Sequence, residues 1–225
     1  MGGCGRRAQG NAGAGEARDA ELDSTEGGRC GRLPAQALVE HERGHRYGTA
    51  LLSRVPFTDS LDHAFRPSPP SMTKGLTLGQ VAWRPDGKAG PIYVDIVSVH
   101  LDFSRDSVRK QQVAEMSATR SDRTHPMIVL GDFSSDWSGN DSVVTELAHR
   151  CGMQVYQPLA DDLGTYPSSG RRLDWVLTSD DLAFLHHEVL PHRVSDHHAV
   201  VAIIGLKAMN DSAQAEARGS SRCTE

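Results

Sequence analysis

At 225 residues the chain is long enough for one full-sized domain with its own core and short for two. A composition of 38% hydrophobic and 24% charged residues is that of a soluble globular protein, and a formal charge of -5 excludes an overall basic field that would gather nucleic acid from a distance, leaving only a local groove for that task. No apolar run approaches the roughly 20 residues of a membrane span, and no N-terminal apolar stretch resembles a signal peptide, so the default location is cytoplasmic.

Residues 1–35 are rich in Gly, Ala and Arg, offer almost nothing to a core and are expected to be disordered, as is the 207–225 stretch. A folded domain over 36–206 remains. Within it "YGTALLSRVPF" reads as a buried strand ending near Pro56, and "SLDHAFRPSPPSMTKG" as a long loop. "LTLGQVAWRP" and "PIYVDIVSVHL" are β-rich runs joined by the turn-forming "DGKAG", which predicts a hairpin. Ser104 is placed to N-cap a helix through "RDSVRKQQVAEMSATR", with Asp106 in its first turn. "PMIVLGDF" reads as a short apolar strand, "SVVTELAHRCG" as a helix ending near Gly152, "RRLDWVLTS" as a strand and "HHAVVAIIGL" as a final buried strand. Strands come first, then a helix, then strand and helix in alternation, an order that predicts a layered α/β sandwich. Cys4, Cys30, Cys151 and Cys223 are scattered without a CxxC pair, and read as free thiols.

Four words fall at the ends of predicted strands. "VSVHLD" gives His100, "LGDFSS" gives Asp132, "RRLDWVL" gives Asp174, and "VSDHHAV" gives Asp196 and His197. Strand ends converge at a sheet edge, so these side chains are candidates for one cleft. Carboxylates there suit a hard cation such as Mg²⁺ or Mn²⁺, held by one or two carboxylates plus substrate phosphate. The histidines could orient water, hold a phosphate oxygen or carry a proton. Any single word more often marks a loop cap; four in order point to a site.

Together with "YGTALLSR", the words "VHLD", "GDFSS", "RRLDWVLTS" and "SDHHAVV" resemble the endonuclease/exonuclease/phosphatase superfamily, over most of the folded body. The resemblance implies a four-layered α/β sandwich of the deoxyribonuclease-I-like type and metal-dependent hydrolysis of phosphoric esters, by a phosphodiesterase or phosphatase. It implies His100 as a phosphate contact, Asp132 as the carboxylate beside the attacking water and a metal ligand, Asp174 as the partner that orients His197, and Asp196 as a metal ligand. His197 contacts the phosphate or acts as base, and sequence leaves open whether it or Asp132 takes the proton. Lys74 in "MTKGL" stands where the family often has a basic residue that would contact substrate. The substrate is a phosphate ester of unassigned class, with nucleic acid disfavoured by charge.

Two departures stand out. Ser134 replaces the Asn of the family's Gly-Asp-Phe-Asn word; as a substrate contact its hydroxyl is shorter than an amide and offers fewer donors. The family's opening strands, with their Asn and metal-binding Glu, have no counterpart before "YGTALLSR", which predicts a domain lacking its first strands; Glu40 is a weak stand-in for that Glu, and Glu42 a weaker one. These departures motivate an alternative in which the chain is a non-catalytic remnant that binds a phosphate-bearing ligand or a protein partner. A lesser rival, a zinc metallopeptidase, rests on "HERGH" at 41–45, but Gly44 is a poor helix former and a strand follows at once. His186, His187 and His192 read as surface residues, as does Arg109 on a solvated helix face. Tyr166 and Trp137 read equally as cleft lining or packing.

Overall fold

A computed structural model describes residues 35–38, 47–120, 122–139, 142–193 and 195–207. Both expected tails lie almost wholly outside those residues, as do Glu40, Glu42, the HERGH word and three of the cysteines; Cys151 is a free thiol.

Six strands make the central sheet, in the order β3 (Phe57–Ala64), β4 (Gly75–Trp83), β5 (Ile92–His100), β6 (Met127–Asp132), β8 (Asp174–Ser179) and β7 (Met153–Val155). The β4–β5 pair is the expected antiparallel hairpin around "DGKAG". β5 and β6 run parallel, joined by helix α1 (Asp106–Arg120), and β8 returns antiparallel to β6. Helix α2 (Val143–Cys151) precedes β7; Ser142 caps it by accepting the Thr145 N–H, and Gly152 closes it in the left-handed conformation.

One face of this sheet carries the main core. Val97 and Val99 of β5, Met127 and Val129 of β6 and Leu177 of β8 pack against Val113 and Met116 of α1 and Val144 and Leu147 of α2. The period-2 alternation of the strands meets the helical stripe there, which is why these apolar positions are buried. The other face carries two separate antiparallel ribbons, β1 (Ala35–Leu38) with β2 (Ala50–Ser53), and β9 (Leu182–Arg193) with β10 (His198–Leu206). Thr49 reaches Thr77 of β4 at 2.9 Å under the first ribbon; Leu182, Ile204 and Leu206 of the second cluster with Val81, Val94 and Ile128. Among the described residues the second sheet layer is therefore two two-stranded pieces. No helix among them is long and apolar enough to cross a membrane.

Several expectations are corrected. The 60–64 part of the expected loop belongs to strand β3, an edge strand with exposed Thr58, Asp59, Ser60 and Asp62, held by backbone pairing with β4 and by the inward Phe57 and Leu61. Residues 182–193 form β9, which the sequence reading left unassigned. Strand β10 is mostly half-buried, with Ala199 and Ile203 exposed, so it is not fully buried. Ser104 does not cap α1. Asp102 does the local work instead, its Oδ1 accepting the N–H groups of Ser104 at 2.8 Å and Arg105 at 3.0 Å and the Ser104 hydroxyl at 2.7 Å.

Candidate active site

Sheet register turns three of the sequence words into one row. His100 on β5 is the direct partner of Asp132 on β6, and Asp132 is the partner of Asp174 on β8. Across β4, Gly75 pairs with His100, which brings Lys74 to the same edge. The strand before Asp132 must approach β5 closely. Gly131 permits this: its φ is +139°, and a Cβ there would lie 2.0 Å from the Val99 carbonyl oxygen, a position no L side chain can take.

His197 comes from the segment before β10. Its Nδ1 sits 2.6 Å from Asp174 Oδ2, which fixes the ring and leaves Nε2 as the nitrogen presented to a reactant. The Tyr166 ring lies 4.9 Å from the His197 ring, and Ser195 Oγ accepts the His197 N–H at 3.0 Å. Thr165 ties the supporting loops together: its Oγ1 accepts the N–H groups of Leu173 and Asp174, both at 3.0 Å, and its carbonyl accepts the His198 N–H at 2.8 Å. Burial pulls the His197 pKa down, but the hydrogen bond and charge of Asp174, with Asp132 and Asp196 behind, outweigh it and hold the pKa above the usual histidine value. Burial raises the Asp174 pKa, with Asp132 adding to the rise and Thr165 and His197 opposing it.

Ser134 answers the departure in the GDFSS word. Its N–H and its hydroxyl both donate to Asp132 Oδ1, at 2.7 and 3.1 Å. The hydroxyl hydrogen thus goes to the carboxylate. The residue adopts φ +49°, a conformation that asparagine tolerates better than serine.

On the other side, Lys74 is almost wholly buried; its ammonium bonds the Tyr47 hydroxyl, lies 3.0 Å from His100 Nε2 and stands over the rings of Tyr47 and Phe103. Desolvation lowers its pKa while Asp132 and Asp102 act against that. His100 Nε2 also lies 3.4 Å from Asp132 Oδ2. The row therefore brings together Lys74, His100, Asp132, Asp174 and His197. Asp196 is exposed beside His197. Among the described residues no three His, Cys, Asp or Glu side chains converge on an ion. A hard dication needs only one or two protein carboxylates beside substrate oxygens; Ser134 takes Asp132 Oδ1 and leaves Oδ2 as the oxygen of Asp132 that could serve one.

Sequence reasoning missed Thr165, Tyr47 and the placement of Arg109. Arg109 is buried, not solvated: its guanidinium donates to the Asp102 carbonyl at 2.8 Å and pairs with Asp106. His187 is likewise buried, stacked on Tyr156 at 4.9 Å and lying 3.3 Å from Arg172, whereas His186 and His192 are exposed as expected. Tyr166 belongs to the cleft; Trp137 leans on Trp175 at 6.1 Å.

The sequence pattern of the Endonuclease/Exonuclease/phosphatase family matches residues 8–197. A functionally unknown conserved protein from Enterococcus faecalis V583 is similar in structure at 17% identity and a TM-score of 0.61, with 77% of this chain and 76% of that chain covered. An endonuclease/exonuclease/phosphatase family protein from Bacteroides thetaiotaomicron is similar at 14% identity and a TM-score of 0.60, covering 80% and 76%. A mannosyl-6-phosphatase from Bacteroides thetaiotaomicron VPI-5482 is similar at 15% identity and a TM-score of 0.57, covering 78% and 79%. At such identities the likeness shows the fold, the layered α/β sandwich of the deoxyribonuclease-I-like type. No curated protein matches the chain.

Proposed function

The chain belongs to the endonuclease/exonuclease/phosphatase family, and from that premise we propose that it is a phosphoric ester hydrolase, a phosphodiesterase or phosphatase, that works with a divalent cation. The observation that carries this reading is the Asp174–His197 contact of 2.6 Å, set in the same row as Asp132 and His100.

In this reading a phosphoryl group lies against Lys74, His100 and His197. Lys74 and His100 draw charge from its oxygens, which lowers the cost of the pentavalent transition state. Asp174 fixes the tautomer of His197 with the proton on Nδ1, so Nε2 takes a proton from the attacking water. Asp132, with Oδ1 held by Ser134, offers Oδ2 to the water. Asp132 and Asp196 would hold Mg²⁺ or Mn²⁺, whose contribution when bound is to neutralise phosphoryl charge.

Turnover of p-nitrophenyl phosphate and its bis ester by chelator-stripped protein, with and without added Mg²⁺ or Mn²⁺, tests the reading. Cation-dependent release of nitrophenolate is the expected result. A folded protein that binds phosphate and releases none would favour the non-catalytic remnant, for which the committed hydroxyl of Ser134 is the supporting observation.

A further inference from the structure

A cleft of about 300 Å³ is lined by the segment that follows Ser134 and by Arg171, the bridge partner of Tyr166. One wall continues directly from Ser134: Asp136 and Trp137 line it, and Arg171 lines it from the turn that carries Tyr166. Pro158, Leu159 and Asp161 also line it. The hydrolase reading gives this space no task.

Its walls are held in place. The carbonyls of Ser135, Asp136 and Trp137 accept from Trp175 Nε1 at 2.9 Å, Ser142 Oγ at 2.7 Å and Thr145 Oγ1 at 2.8 Å. Before Pro158, Gln157 has φ +39°, a costly conformation for a residue with a side chain. The buried Arg172 holds it there, donating from Nη1 to the carbonyls of Tyr156 at 3.0 Å and Gln157 at 3.2 Å. The result is a tight loop that leaves Leu159 77% exposed at the rim. A large apolar side chain held out by a strained loop, at a cleft that Trp137 also lines, is a surface shaped for contact.

The chemistry of the walls selects the class of ligand. Trp137, Pro158 and Leu159 supply apolar contact area, and the carboxylates of Asp136 and Asp161 supply acceptors. The two cations lining the cleft are already engaged: Arg171 binds Asp136 through Nε at 2.7 Å and Nη2 at 2.6 Å, and Arg172 donates to the Tyr156 and Gln157 carbonyls. An anionic group would meet the carboxylates of Asp136 and Asp161, while the guanidiniums of Arg171 and Arg172 are already committed to Asp136 and to the Tyr156 and Gln157 carbonyls, and it is disfavoured. A ring with C–H faces for the indole and several O–H donors for the carboxylates meets both demands.

We propose that the cleft lined by Trp137, Leu159, Asp136 and Asp161 binds the neutral polyhydroxylated ring of a sugar phosphate, whose phosphate sits at the His100–Asp132–His197 row. The proposal rests on the hydrolase reading for the phosphate and on the cleft alone for the sugar.

The experiment therefore has two arms. In the first, methyl glucoside, mannoside and galactoside, which carry no phosphate, are titrated into the full chain by ligand-observed NMR, with uridine and adenosine alongside. Millimolar binding of at least one hexoside is expected, weakened about tenfold or more in Leu159→Asp, whose exposed position does not threaten folding. In the second, kcat/KM for hexose phosphates is divided by kcat/KM for p-nitrophenyl phosphate. That ratio is expected to fall about tenfold or more in Leu159→Asp and in Trp137→Ala. Nucleosides binding in place of hexosides, or a ratio unmoved by both variants while esters are turned over, would overturn the proposal. Hexoside binding that depends on Leu159 without hydrolysis of any ester would uphold the sugar cleft and remove the hydrolase reading instead.

Discussion

Replacing Asp174 by asparagine tests the proton route with little change in volume. Asp174 Oδ2 lies 2.6 Å from His197 Nδ1, a distance at which the carboxylate accepts the Nδ1 proton in a charge-assisted bond. An asparagine amide that turned its NH₂ toward Nδ1 would demand an acceptor there, forcing the ring proton onto Nε2 and removing the base. General-base assistance contributes about 10²- to 10⁴-fold, equivalent to roughly 3–5 kcal/mol of barrier, so Asp174→Asn is expected to lower kcat/KM by that factor. The pH dependence adds a second readout. His197 must be neutral to accept a proton, so activity should climb with pH through its pKa, which Asp174 holds above the usual histidine value. Loss of that carboxylate should move the inflection down toward about 6.5. Measurement of kcat/KM for bis-p-nitrophenyl phosphate from pH 5 to 9 reads both effects. A variant within threefold of the parent, or one with an unmoved inflection, would refute His197 as the base.

Further outcomes follow from the same contacts. Ser134→Asn relieves the left-handed backbone and restores an amide able to serve both Asp132 and substrate. It should raise kcat about 10²-fold, the lower end of the 10²- to 10³-fold range known for one oxyanion donor, and raise stability by about 1 kcal/mol; steady-state kinetics and urea denaturation check the two parts. Arg123→Met should cost about 3–5 kcal/mol in urea, because it strands the fully buried Asp95, which Arg123 Nε binds at 2.8 Å, while Arg123→Met with Asp95→Leu should recover much of the loss. Gly131→Ala should destabilise by about 4 kcal/mol or more, since its Cβ would strike the Val99 carbonyl; circular dichroism of the purified variant would show it.

The parts of the fold that were legible in the sequence are those where burial and punctuation coincide. β6, β8 and α2 are continuous or periodic apolar runs with Ser142 and Gly152 marking the helix ends, so pattern alone locates them. β3 is not legible, because an edge strand with exposed Asp59 and Asp62 carries a loop's composition while backbone pairing to β4 decides its form. Asp102, not Ser104, organises the start of α1 because its buried carboxylate faces several donors at once, and a rule reading one cap position cannot see that. The site follows the same division. His100, Asp132 and Asp174 were readable as strand-end words, and register explains why three distant words become one row. Thr165 was not readable: its role is to accept two backbone N–H groups, and that leaves no periodic trace. Arg109 looked solvated because charge on a helix usually is; its guanidinium is buried by turning back onto the Asp102 carbonyl.

The most direct test of hydrolysis at this row compares the parent chain with Asp132→Ala and His197→Ala, prepared identically and shown to be folded, for turnover of bis-p-nitrophenyl phosphate with Mg²⁺ or Mn²⁺. Turnover by the parent that falls about a hundredfold or more in each variant is the predicted result. Equal rates in all three proteins, or none in any, would contradict the assignment of this row as a hydrolytic site.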